Sequence, residues 1–202
     1  GQSCCGIERI YVHEKVFEDF AAGVILAARR LELGDPRRET TTLGPMVRPA
    51  AADFVRNQIT EAVRAGAKPM VDPKTFRSDR EGSAYKSPQV LVNVTHEMRV
   101  MTEESFGPVV GIMKVRSDEE AITLMNDSDY GLTAAIWTGD EEAAISIGGR
   151  VDTGTWFMNR CDYLDPELAW TGVKNSGQGC SLSAVGFEQL TRLKSFHLRT
   201  TT

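Results

Sequence analysis

The chain has 202 residues, 41% of them hydrophobic and 25% charged, with a formal net charge of -5. That length suits one domain, or one domain with an appendage, and the mildly acidic balance without basic runs argues against nucleic acid and membrane surfaces as partners. No apolar run approaches the roughly 18 residues that span a bilayer.

The sequence opens Gly1-Gln2-Ser3-Cys4-Cys5 and enters structured sequence at once, without a leader-like segment. It is therefore expected to be part of a longer protein from a reducing, cytoplasmic setting. Cys4, Cys5, Cys161 and Cys180 have no C-x-x-C spacing, and His13, His96 and His197 are scattered, so no metal site is expected. Asn93-Val94-Thr95 and Asn126-Asp127-Ser128 match the glycosylation pattern, a chance match in a protein that is not exported.

In chain order, residues 7–12 alternate and are β-branched, which predicts a strand. Residues 15–31 carry apolar side chains at helical spacing and predict an amphipathic helix, ended by Gly34-Asp35-Pro36. A polar loop follows. A second helix is predicted over 50–65, with Gly66 where a C-terminal cap would stand. Residues 68–71 form a short strand candidate, and 72–87 read as a polar, exposed excursion. Strands are predicted at 89–94 and at 109–115, the latter a near-continuous apolar run as if covered on both faces. A helix over 117–126 has a Ser cap and an acidic first turn. A strand at 132–137, a helix at 140–147 and a strand at 154–158 complete the alternation. Strands alternating with helices predict an α/β fold: an open, mostly parallel twisted sheet with helices on both faces. A last, half-polar strand at 196–199 lies beyond that core and is expected to pair with another domain or subunit.

Cys4 is the first candidate for chemistry. A cysteine before a strand is ordinarily a small buried hydrophobe. Here Gly1-Gln2 allow a close backbone approach, and a helical turn starting at Cys4 would offer free N–H groups to a thiolate or an oxyanion.

Several motifs in order resemble the aldehyde dehydrogenase superfamily. Gly1-Gln2-Ser3-Cys4 resembles its G-Q-x-C cysteine motif, and Ile10-Tyr11-Val12-His13 the strand that follows. Glu104-Ser105-Phe106-Gly107-Pro108-Val109 resembles E-x-F-G-P-V. Gly44-Pro45-Met46, Asn126-Asp127-Ser128 with Tyr130-Gly131-Leu132, and Gly154-Thr155, Asn159 and Lys174-Asn175-Ser176-Gly177 also look like family segments. The resemblance runs over essentially the whole chain. It implies a catalytic domain over 1–193, an oligomerisation strand over 194–202, and a cofactor-binding domain that lies outside this chain.

By resemblance, Cys4 is the nucleophile that attacks an aldehyde, passing through a thiohemiacetal and a thioester to the acid. Glu104 corresponds to the carboxylate that binds the nicotinamide ribose of NAD or NADP, and Phe106 to the aromatic beside the nicotinamide. Taken alone, Glu104 would read as a solvated surface acid and Phe106 as a core ring. By the same resemblance, Ser3 and Cys5 flank the nucleophile and are expected to line the aldehyde pocket. Cys161, Asp162, Leu164 and Trp170 fall where the family shapes its substrate mouth, with Trp170 in place of a usual Phe. Thr171 replaces a glycine of the last signature.

The resemblance also implies that most of the cofactor site, the general-base glutamate and a side-chain oxyanion donor precede Gly1. The isolated chain is therefore expected not to oxidise aldehydes. Three alternatives stay open: a relative that transfers the acyl group to CoA or reduces an acyl phosphate, a non-catalytic fragment that forms homo-oligomers through its C-terminal strand, and a cysteine hydrolase.

Overall fold

Where β-branched and aromatic side chains alternate near the start, the backbone forms β1 (Arg9–His13). The computed structural model describes residues 1–161 and 163–201. The chain divides into two compact units, Gly1–Ser128 and Asp129–Thr202.

In the first unit β1 is followed by α1 (Phe17–Arg29), α2 (Pro49–Arg64), β2 (Lys68–Pro69), β3 (Gln89–Val92), α3 (Arg99–Thr102), β4 (Val109–Val115) and α4 (Asp118–Asn126). Strand order is β1-β4-β3-β2. β4 pairs parallel with β1 and with β3, and β2 closes the edge antiparallel to β3. The sheet is thus open and mostly parallel. β4 is central, which is why its sequence is apolar on both faces.

Successive residues of a strand face opposite ways, and the core divides accordingly. Leu91 of β3 belongs to a cluster with Val55 and Ala62 of α2 and Met101 of α3. Its neighbour Val90 belongs to a second cluster with Phe17, Ala21 and Ile25 of α1. α1 therefore covers one face and the α2–α3 pair the other. Leu91, Met101 and Ile112 are fully buried.

Local chemistry sets the helix ends. α2 stops in a Schellman motif: Gly66, at φ +109°, lets Ala67 N–H donate to Ala62 O at 2.9 Å, and Gly66 N–H donates to Val63 O at 3.1 Å. Ser117 Oγ accepts from Glu120 N at the start of α4, while Glu120 reaches back to Arg116 N.

Residues 72–87 are exposed over much of their length, as their polarity suggests, but the stretch from Asp79 to Ser87 is tied to the core at both ends. Asp79 accepts from Lys86 Nζ at 3.0 Å, from Ser87 Oγ at 2.6 Å and from Arg56 at 2.9 Å. Paired in this way, Lys86 and Ser87 are buried. Charge pairing, which no periodicity records, draws the segment inward.

The second unit contains β5 (Tyr130–Gly131), β6 (Thr133–Ile136), α5 (Glu141–Gly148), β7 (Thr155–Met158), β8 (Val173–Lys174) and α6 (Ser183–Leu190). β6 and β7 pair parallel, and β5 and β8 antiparallel. Asp140 caps α5 by accepting from Ala143 N at 3.0 Å. Trp156 Nε1–H donates to Ala144 O at 3.0 Å, fixing α5 on β7. The strand expected at 196–199 does not form within the chain. Residues 192–201 carry no ladder, and Leu193, Phe196 and Leu198 are exposed. An extended segment becomes a strand only when another strand offers it hydrogen bonds.

Candidate active site

Parallel pairing decides what meets here. β1 and β4 run side by side in the same direction, Arg9 opposite Gly111. The segments that lead into them, residues 1–8 and 103–108, consequently arrive at the same end of the sheet, where both strands begin. One contains Cys4 and the other contains Glu104 and Phe106.

Cys4 lies in a single turn closed by Gly6 N–H donating to Ser3 O at 2.9 Å, and its thiol is free and exposed. The turn continues as extended backbone into β1, so the helix N-terminus considered from sequence is not formed there. Ser3 Oγ stands 3.3 Å from Cys5 Sγ, and Cys5 is half-buried.

Gln2 anchors this turn. Its Nε2 donates to Pro45 O at 3.2 Å, and its Oε1 accepts from Val47 N at 2.7 Å. The side-chain amide thus pairs with the Gly44-Pro45-Met46 segment much as a neighbouring strand would. Gly1 lies so close to Gly107 that a β-carbon on Gly1 would overlap the Gly107 carbonyl. Gly107 is equally constrained: a β-carbon there would come within 2.6 Å of Val55 Cγ2 and 3.2 Å of Met46 Cε. Packing, more than turn flexibility, requires these two glycines.

The second segment holds an unusual conformation. Phe106 has φ +48°, a region that non-glycine residues seldom adopt. Phe106 is 40% exposed, Glu104 is exposed, and Ser105 between them is buried. Glu8, half-buried at the entry to β1, accepts from Ser105 N at 2.7 Å and from Phe106 N at 2.8 Å. Burial raises the Glu8 pKa above the ordinary carboxylate value, although these two amide bonds pull the other way and nearby Glu104 adds to the rise. Sequence reasoning assigns Glu8 no role. Its only signal there is an acid at the mouth of an apolar strand.

The remaining expected residues belong to the second unit. Cys161 is half-buried, Leu164 is exposed, and Asp162 lies outside the described residues. Trp170 is half-buried and forms an antiparallel bridge with Ser181, donating to Ser181 O at 2.7 Å and accepting from Ser181 N at 2.9 Å. Thr171, the departure from the family signature, gains a bond that glycine could not make: its Oγ1 donates to Gly179 O at 2.7 Å. Among the described residues no group of three His, Cys, Asp or Glu is placed to hold a metal ion, and no helix is long and apolar enough to cross a membrane.

Comparison with known proteins agrees with the ordered motifs. The aldehyde dehydrogenase family profile matches residues 1–196, and the chain belongs to this family. It is 36% identical over 196 residues to an aldehyde dehydrogenase of Paenarthrobacter nicotinovorans, covering 96% of this chain and 42% of that protein. It is 35% identical over 195 residues to the succinate semialdehyde dehydrogenase [NAD(P)+] Sad of Escherichia coli, again covering 96% of this chain and 42% of the other. The crystal structure of succinic semialdehyde dehydrogenase from Streptococcus pyogenes, in complex with NADP+, superimposes with a TM-score of 0.85 at 33% identity, covering 93% of this chain and 40% of that one. The chain thus spans about two fifths of the length of the curated relatives it matches.

Proposed function

We propose that the chain is the nucleophile-bearing part of an enzyme that oxidises an aldehyde to a carboxylic acid with NAD or NADP. The observation that supports this most is the juxtaposition of an exposed Cys4, on an anchored turn, with the Glu104–Phe106 segment at the same end of the sheet. The relatives' printed names, which include an NAD(P)+ enzyme and an NADP+ complex, support the cofactor class.

Cys4 acts as a thiolate. Its sulfur bonds to the aldehyde carbon while the carbonyl oxygen takes the charge, and the Cys4 backbone N–H helps to hold that oxygen. NAD(P)+, when bound, supplies the acceptor for the hydride and its electron pair. The thioester left on Cys4 is opened by water, which breaks the C–S bond, restores the thiol and releases the acid. Cysteine suits both stages, because its thiolate attacks readily and also leaves readily. Glu104 and Phe106 fit the nicotinamide half of such a cofactor. The exposed carboxylate can accept from both hydroxyls of a ribose diol, and the partly exposed ring offers a flat apolar surface. The chain spans about two fifths of the length of these relatives, and we assign turnover to a protein of their full length.

A test is acid-quench mass analysis of the complete protein after mixing with aldehyde and NAD(P)+. An acyl group on the Cys4 peptide, absent from Cys4→Ser, is the expected result. Acylation of another cysteine in its place, or full turnover by Cys4→Ser, would overturn the reading.

Assembly is the second part of the proposal. Leu193, Phe196 and Leu198 are exposed at 91%, 73% and 81% on a segment without a ladder. We assign residues 194–202 to pairing with another copy, giving a homo-oligomer. Deleting them should lower the mass measured by light scattering, and an unchanged mass would count against this assignment.

A further inference from the structure

We propose that Glu8 is a positioning residue for cofactor binding: its carboxylate clamps the Ser105 and Phe106 backbone and so aims Glu104 and Phe106. The inference rests on the reading of Glu104 and Phe106 as cofactor contacts.

The geometry is specific. Two successive amides, Ser105 N–H and Phe106 N–H, donate separately to Glu8 Oε2 and Oε1, at 2.7 and 2.8 Å. Two neighbouring N–H groups converge on one ligand only when the backbone bends out of the extended form, and Phe106 does so with φ +48°. A phenylalanine in that region is strained, and such conformations persist only where surrounding contacts hold them. The carboxylate supplies the hold. It also accepts charge-assisted bonds from the only segment that carries both Glu104 and Phe106.

Glu8 is itself fixed. Its carbonyl accepts from Gly111 N at 3.1 Å, which sets it at the start of the β1–β4 ladder. The clamp therefore ties the conformation of residues 104–106 to the rigid sheet and to the strand that Cys4 leads into. The other charged side chain that acts on this carboxylate is Glu104. Any carboxylate or phosphate drawn to the segment meets Glu8 as a like charge, so Glu8 acts on the backbone and leaves the ligand to its neighbours.

Glu8→Gln tests this with little change in shape. Glutamine keeps one acceptor oxygen and turns an N–H toward the other amide, so one bond is lost. In the 202-residue chain, the amide resonances of Ser105 and Phe106 should follow the titration of Glu8, and that response should vanish in Glu8→Gln. Their hydrogen exchange should quicken about tenfold or more, with β4 amides unchanged. Amides that neither titrate with Glu8 nor exchange faster would overturn the clamp, whatever the cofactor reading.

In the complete protein, Glu8→Gln should raise the KM for NAD(P)+ about tenfold, with a smaller effect on kcat. Glu104→Gln serves as the control. A raised KM in Glu104→Gln beside an unchanged KM in Glu8→Gln would overturn the positioning role. An unchanged KM in Glu104→Gln would instead overturn the cofactor reading on which it rests. The wild-type titration needs no variant, so poor folding of Glu8→Gln would not remove the test.

Discussion

The hydroxyl of Tyr11 lies 2.7 Å from Nε2 of His96, joining β1 to the loop before α3. The other ring nitrogen, Nδ1, lies 2.8 Å from Asp127 Oδ2. A carboxylate can only accept, so Nδ1 carries the hydrogen of that contact. The Tyr11 hydroxyl also lies 3.3 Å from Leu124 O. Tyr11→Phe leaves His96 Nε2 without this partner in a half-buried site. We expect a loss of about 1–2 kcal/mol in urea unfolding. Tyr11→Phe and His96→Ala should be non-additive by about 0.5 kcal/mol or more, and additivity would exclude the coupling.

Asp79 should be costly to remove. Its side chain is 9% exposed between Arg56 and Lys86. Burial works against its charge, yet bonds from Ser87, Arg56 and Lys86 prevail and hold the carboxyl well below the usual range. Asp79→Ala leaves the buried Lys86 ammonium unpaired and should cost about 3–5 kcal/mol by denaturant unfolding. The depressed carboxyl also gives a pH signature. Its folded pKa is below the unfolded value of about 4, so its contribution is complete above that pH and is lost as pH falls. Asp79→Asn should flatten the acid side of the stability profile between about pH 5 and 2.

Arg99 offers the contrast. It bonds Glu103 and Glu61 at 2.8 Å each, but its side chain is 42% exposed and both acids are 46% exposed. Water screens such a network. Arg99→Ala should cost far less than Asp79→Ala, and high salt should reduce the loss further. A loss as large as that of Asp79→Ala would contradict the assignment of strength to burial.

Gly66→Ala should cost about 1–2 kcal/mol in thermal unfolding, because a β-carbon is strained at φ +109°. Space is not the obstacle, since a β-carbon there meets nothing nearer than Asn93 Nδ2 at 4.0 Å. Gly66→Asn should recover part of the loss, as asparagine tolerates the left-handed region better than alanine does.

Gly107→Ala tests steric need instead. The added carbon would press on Val55, which is fully buried and has no route of retreat. A loss of about 1–3 kcal/mol is expected from overpacking. The same change should disturb Phe106 next to it, visible as a shift of the Phe106 ring and amide resonances.

Much of the fold was legible because its signals are local. The apolar run of β4, the Ser117 cap of α4 and the Gly66 stop of α2 each lie within a few residues. Other elements gave too little pattern to find: α3 is four residues long, and β5 and β8 two each. α6 carries Gly186 and exposed Phe187, and this weakens its helical pattern. At the site, Cys4, Glu104 and Phe106 stood out through motifs. Glu8 did not, because its partners are about a hundred residues away in sequence and only the parallel pairing of β1 with β4 brings them near.

That pairing also works as a ruler. Cys4 stands five residues before Arg9 and Glu104 seven before Gly111, and the ladder locks Arg9 to Gly111. Adding one residue to either lead-in would slide one segment past the other by about 3.3 Å while both strands kept their pairing. Surface loops usually absorb such length changes at little cost. These two cannot, so the protein should tolerate substitutions here more readily than insertions or deletions.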